Sequence, residues 1–218
     1  MASSKPARRG RFITFEGGEG AGKSTQIKLL AASLREAGLT VDETREPGGS
    51  PRAELIRKFI LSGEAKPMGV ATEVFLFNAA RYDHVVNRIA PALSAGTWVL
   101  CDRFADSSRV YQSVAGGVDM ALARGLETLV VGETRPDLTF ILDLPAEIGL
   151  ARASARRGAS DTADRFEAES LAMHECIRAG YLAIAEEEPA RCAVIDANGE
   201  PAEVASAIRR IVAERLKV

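Results

Sequence analysis

The run Gly17-Gly18-Glu19-Gly20-Ala21-Gly22-Lys23-Ser24 has the spacing Gly-x-x-x-x-Gly-Lys-Ser and lies between an apolar, strand-like segment (residues 12–15) and a helix-like one starting at Lys23. No other feature constrains the fold as tightly. Glycines let the backbone curl so that successive N–H groups turn inward toward an anion. A helix beginning at Lys23 adds its positive dipole end. Lys23 can then reach the β- and γ-phosphates of a nucleotide, and the Ser24 hydroxyl can ligate Mg²⁺. A Gly-rich turn without a ligand has similar letters, but the strand before and the helix after are the context that a triphosphate cradle requires.

Strand-like and helix-like stretches alternate along the rest of the chain. The first helix carries Ile27, Leu30 and Leu34 on one face and stops at Gly38. Residues 39–44 read as a strand and residues 45–51 as a loop. Helices are predicted over about 52–61, 72–93, 120–131, 166–187 and 201–216, with another starting at Pro145. Residues 97–101, 138–142 and 192–195 read as buried strands, and the stretch between Asp102 and residue 120 reads as irregular. The alternation implies right-handed crossovers. The expected fold is therefore α/β: a P-loop NTPase-type three-layer arrangement, with a mostly parallel five-stranded sheet covered by helices on both faces. Ligands in such sheets sit at the carboxyl ends of the strands. One domain is expected over residues 12–218, preceded by a disordered basic tail, residues 1–11.

Composition narrows the partners. A formal net charge of −2 gives no global positive field for a nucleic-acid polymer or an anionic membrane. No apolar run approaches the roughly 18 residues that span a bilayer. Cys101, Cys176 and Cys192 share no close spacing, which argues against a disulfide framework or a zinc site and fits a reducing, cytoplasmic setting. His84 and His174, the only histidines, fall within predicted helices and are given no catalytic role.

Several residues suggest a second, smaller anion site. Asp102-Arg103 directly follows a buried strand. An aspartate there can hold a Mg²⁺ shell and an arginine can clamp a phosphate with two donors, although a structural ion pair reads the same way. Phe77 and Arg81 lie four apart on a predicted helix. They share a face that could stack and hydrogen-bond a base, or Phe77 could simply pack in the core.

Together these segments resemble thymidylate kinase, over essentially the whole chain after the tail. The resemblance rests on Arg45-Glu46-Pro47-Gly48-Gly49-Ser50, on residues 75–81, on Asp102-Arg103-Phe104 through Gln112, on Asp143-Leu144-Pro145 and on Asp164-Arg165-Phe166-Glu167, in order and at similar spacing. It implies ATP as donor, bound by Gly17, Gly18, Glu19, Gly20, Ala21, Gly22, Lys23, Ser24 and Thr25, with Mg²⁺ held through Ser24 and Asp102. It implies dTMP as acceptor. Phe77 would stack on thymine, Arg81 would contact its edge or the nearby phosphate, and Arg103 would hold that phosphate. Ser107 and Ser108 would face the base, with Gln112 in the same motif; some relatives carry asparagine in place of Ser108. Tyr111 would crowd a ribose 2′-hydroxyl, Glu19 would approach the sugar 3′-hydroxyl, and Arg45, Glu46 and Pro47 would help close the acceptor site. The turn at Asn198 would border adenine. A homodimer is implied as well.

Phosphoryl transfer needs in-line alignment and cancellation of charge between two phosphates. Some thymidylate kinases supply one cation from inside the phosphate loop, but Glu19-Gly20-Ala21 has none. The Arg-rich stretch offers Arg152, Arg156, Arg157 and Arg165 instead, as a mobile lid over about residues 152–166, with Arg152 and Arg157 the first choices. Two alternatives stay open: another nucleoside monophosphate or deoxynucleoside kinase on the same fold, and a nucleotide-hydrolysing switch. The lack of an Asn-Lys-x-Asp segment counts against a GTPase.

Overall fold

A computed structural model describes residues 9–156, 166 and 169–217. Its centre is a five-stranded sheet in the order β2-β3-β1-β4-β5, formed by β1 (Phe12–Glu16), β2 (Val41–Arg45), β3 (Trp98–Asp102), β4 (Leu138–Asp143) and β5 (Cys192–Asp196). All four strand pairings are parallel. β1 occupies the middle, which suits a strand whose five residues are all buried. The register brings Arg45 and Phe15 level with Asp102, and Asp143 level with Asp196, so the polar strand ends share one edge of the sheet.

α1 (Lys23–Glu36) packs on one face of the sheet together with α9 (Pro201–Leu216). Ile27, Leu30 and Leu34 meet Ile13 and Phe15 there. α1 ends in a Schellman turn: Gly38, at φ 83°, donates to Arg35 and Leu39 donates to Leu34. On the opposite face, Phe12, Val99 and Cys101 pack against Val85, Ile89 and Leu93, while α8 (Leu171–Glu187) covers Ile141.

Several boundaries differ from the sequence reading, each for a local reason. Arg45 ends β2, and Pro51 opens α2 (Pro51–Leu61), where its missing N–H costs nothing. The long helix begins as α3 (Val70–His84), loosens to a π segment over Val85–Ile89, and resumes as α4 (Ala90–Ser94). The loosened turn stands just ahead of Pro91, which cannot donate. The stretch expected to be irregular holds α5 (Ala105–Ser108) and a second π segment, Arg109–Val114. It is followed by α6 (Met120–Val131), and β4 is followed by α7 (Ala146–Arg156). α8 starts at Leu171 rather than at Phe166, because Ser170 caps it by accepting from Met173. At the end of the expected tail, Arg9 and Arg11 pair with Asp137, and Gly10 donates to Leu93. Among the described residues, no helix is long and apolar enough to cross a membrane.

Candidate active site

The phosphate loop leaves β1 at Glu16 and turns into α1 through three residues of positive φ: Gly17, Gly20 and Gly22, at 137°, 66° and 88°. The turn needs glycine at Gly20 for a second reason. A Cβ there would lie 2.0 Å from the carbonyl oxygen of Gly149, and one on Gly149 would lie 2.2 Å from that of Glu19. The loop and α7 therefore touch backbone to backbone, and Gly20, within the stretch that lacks a loop cation, has no room for any side chain.

Lys23 lies under the loop, its Nζ donating to the carbonyls of Gly17 at 3.1 Å and Gly18 at 2.8 Å. Burial lowers the pKa of its ammonium and the Arg103 charge acts the same way, against Asp102 and Glu19. Ser24 donates to Asp102 Oδ2 at 2.7 Å, which sets two hard oxygens side by side where α1 starts and β3 ends.

A cavity of about 280 Å³ opens beside the loop. Glu19, Gly20, Ala21, Gly22, Lys23, Ser24 and Thr25 line it on the loop side. Facing them are Arg45 and Glu46 from the end of β2, Phe77 from α3, Asp102 and Arg103 from β3, and Ser107, Ser108, Tyr111 and Gln112 beyond it. Arg156 reaches it from α7. A second cavity of about 350 Å³ adjoins the other side of the loop, where Arg152, Arg156 and Asn198 meet Gly20, Gly22 and Thr25. Arg152 donates there to the carbonyls of Ala197 and Asn198. Arg156 thus borders both cavities. Arg157, Arg165 and the rest of the segment between Arg156 and Phe166 lie outside the described residues.

Arg103 dominates the electrostatics. Its backbone is left-handed, φ 66°, and this swings its side chain back beneath the loop. Nη2 donates to Glu19 Oε1 at 2.6 Å, and Nη1 donates to Tyr181 Oη at 3.0 Å and to the Gly17 carbonyl at 3.1 Å. The guanidinium carbon stands 5.0 Å from the Tyr111 ring centroid. Burial resists ionisation of Glu19, but Arg103, Lys23 and the Tyr111 hydroxyl outweigh it and bring its pKa down to about 2. Glu16, fully buried, behaves oppositely: burial and Asp106 raise its pKa.

Arg81 does not reach the cavity. It is 2% exposed, and its guanidinium donates to Glu46 Oε2 at 2.7 Å, to the Phe104 carbonyl and to Ser108 Oγ. A direct contact with a base edge requires one of these partners to let go. The reason lies in spacing: Arg81, His84 and Arg88 recur at i, i+3 and i+7, and that face of the helix holds the 44–49 segment. His84 bonds Thr44 and Glu46, and Arg88 donates to Asp42 and the Gly49 carbonyl. Pro47 also stays out of the cavity lining, where its carbonyl accepts from Arg57.

Sequence reasoning missed Arg57 and Phe166 as lining residues. Arg57 falls on the buried stripe of α2 between Ala53 and Ile60, and a cation on such a stripe was the available signal. Phe166 brings its ring within 5.5 Å of Tyr111 and 6.3 Å of Phe77, making an aromatic corner that linear spacing could not reveal.

A family model described as thymidylate kinase matches residues 15–208. The chain is 54% identical to thymidylate kinase of Bradyrhizobium diazoefficiens over 99% of its own length and 94% of that protein's. It is 56% identical to that of Rhodopseudomonas palustris strain TIE-1, over 99% and 95%. The crystal structure of thymidylate kinase from Ehrlichia chaffeensis superposes with a TM-score of 0.76 at 31% identity, covering 94% of this chain and 99% of that one. With the loop, the facing arginine and the aromatic corner on one sheet edge, and with relatives this similar over nearly their whole length, the chain belongs to the thymidylate kinase family of nucleoside monophosphate kinases.

Proposed function

We propose that the chain transfers the γ-phosphoryl group of ATP to dTMP, giving dTDP and ADP, across the cavity between the phosphate loop and Arg103. The observation that carries this reading is that one cavity has a phosphate cradle on one wall and, against it, a half-buried arginine beside an aromatic corner. The second cavity, bordered by Asn198, takes the adenine end of ATP, so the loop lies under the triphosphate.

Each side chain then has a task. Lys23 and the loop amides hold the donor phosphates. Arg103 binds the acceptor phosphate, which competes for it with the Glu19 carboxylate 2.6 Å away. Phe77 and Phe166 flank the base, Ser107, Ser108 and Gln112 offer the base polar contacts, and Tyr111 crowds the sugar. Arg81 acts from below by fixing Glu46 and Ser108. Ser24 and Asp102 are hard oxygens suited to Mg²⁺, which takes one or two protein oxygens beside substrate phosphates. That ion neutralises charge on the β- and γ-phosphates when bound. Arg156, at the junction of the cavities, is better placed than Arg152, the other lid arginine among the described residues, to meet the transferring group.

An acceptor survey tests the reading: dTMP should be turned over far faster than dAMP, dCMP or thymidine, and efficient turnover of any of these with dTMP inert would overturn it. We also propose a homodimer. Phe75 and Tyr82 on α3, with Val86 in the π segment that continues it, form an exposed stripe at i, i+7 and i+11, and exposed Leu55 and Leu129 lie on α2 and α6, which pack beside α3. A second copy can meet such a stripe about a two-fold axis.

A further inference from the structure

At the acceptor wall, buried and half-buried groups form a hydrogen-bond chain that has only one consistent direction when Glu16 is ionised. A carboxylate only accepts. Glu16 Oε1 accepts from the Phe104 backbone N–H at 2.7 Å, and Oε2 accepts from the Ser107 hydroxyl at 2.6 Å. Ser107 has one proton and has given it to Glu16, so towards Tyr181 Oη, 2.8 Å away, its oxygen must accept. The Tyr181 proton therefore points to Ser107. That leaves the Tyr181 lone pairs for Arg103 Nη1, which donates at 3.0 Å. Glu16 and Tyr181 are 0% and 1% exposed, so bulk water cannot replace a missing partner.

Resting on the assignment of Arg103 to the acceptor phosphate, we propose that Glu16 is a positioning residue for the transfer: its carboxylate sets the direction of the Ser107–Tyr181 relay and thereby holds the Arg103 head in place. It also fixes the Phe104 N–H, the peptide next to the left-handed Arg103. An isosteric amide cannot do both. With its nitrogen toward Ser107, the relay reverses and the Tyr181 proton is driven toward the Arg103 donor. With its nitrogen toward Phe104, two donors face each other. A proton on Oε2 acts like the first case. Burial and Asp106 favour that proton, Arg103 and the two hydrogen bonds oppose it, and Lys23, Cys101, Tyr181 and Cys192 are the other titrating groups that feel Glu16.

The test is a kinetic cycle on the full chain with wild type, Glu16→Gln, Tyr181→Phe, the double variant and Arg103→Ala. Glu16→Gln should raise the dTMP KM about tenfold or more, with the ATP KM within about twofold of wild type. Adding Tyr181→Phe removes the misdirected hydroxyl, so the double variant should bind dTMP better than the product of the single effects allows. A dTMP KM within about twofold of wild type in Glu16→Gln, or two effects that simply multiply, would overturn the proposal. If Arg103→Ala leaves the dTMP KM unchanged, the acceptor assignment itself falls. If Arg103→Ala matters and Glu16→Gln does not, only the relay falls. Should Glu16→Gln not fold, Ser107→Ala and Tyr181→Phe replace it, with the double variant expected no worse than the poorer single one; independent multiplication contradicts the relay.

Discussion

At Arg103 the backbone takes φ 66°, a conformation that costs a non-glycine residue about 1–2 kcal/mol, and the guanidinium it delivers is held by Glu19, Tyr181 and the Gly17 carbonyl. Truncating it removes the acceptor-side cation and takes from the half-buried Glu19 the strongest of the groups that favour its charge, ahead of Lys23 and Tyr111. Arg103→Ala should lower kcat/KM for dTMP by about a hundredfold or more while ATP affinity, read by titration, stays within about threefold. Equal loss of both would contradict its place. The same pair gives a pH signature. The folded pKa of Glu19, about 2, lies below its ordinary value of 4.5, so the folded chain binds that proton less tightly than the unfolded one. Its contribution, on the order of 3 kcal/mol, is present above about pH 4.5 and lost as the pH falls toward 2. The stability gap between wild type and Glu19→Gln should therefore close in denaturant titrations from about pH 5 to about pH 2, and a gap independent of pH would refute the pairing. The identities of Phe77, Arg103 and Tyr111 were legible as part of ordered motifs. The left-handed turn and the burial of Arg81 were not, because both depend on what other elements place opposite them.

The phosphate loop and α7 meet at Gly20 and Gly149 without space for a Cβ on either, which moves the search for a transition-state cation from the loop to α7. On α7, Arg152 is tied to the carbonyls of Ala197 and Asn198, whereas Arg156 borders both cavities one turn later. Arg156→Ala should thus lower kcat by about 10²-fold or more with little change in ATP KM, while Arg152→Ala should act mainly on ATP KM. Steady-state kinetics of the two variants separates the roles, and a reversed pattern would exchange them. At this scale β1, β3 and β4 were easiest to read, since buried parallel strands are short apolar runs. The helical stretch Ala105–Val114 was hidden because its buried face carries polar residues, Arg109 and Gln112 among them. Arg109 is bound by Glu127 and Glu188, partners on other elements. The start of α8 was misplaced for a related reason: Phe166 is apolar because it faces Tyr111 and Phe77, not because it continues a helical stripe.

Across the whole molecule, parallel pairing turns residues far apart in sequence into neighbours along one sheet edge, so a chain of net charge −2 still concentrates Lys23, Arg45, Arg57, Arg103 and Arg156 around one cavity. Alternating strands and helices make that architecture legible in the sequence, while the strand order and the outward stripe of α3 emerge only in the folded chain. If that stripe joins two copies, Phe75→Glu with Tyr82→Glu should convert a dimer into a monomer in sedimentation equilibrium; wild type sedimenting as a monomer would contradict the pairing. If the cavity joins a triphosphate cradle to a dTMP site, the donor phosphoryl group has an acceptor other than water. The most direct measurement is ADP formed from ATP and Mg²⁺ with and without dTMP. ADP should appear with dTMP, in equal amount with dTDP, and fall to a small fraction of that rate without it. ADP release at the same rate in both would contradict the account.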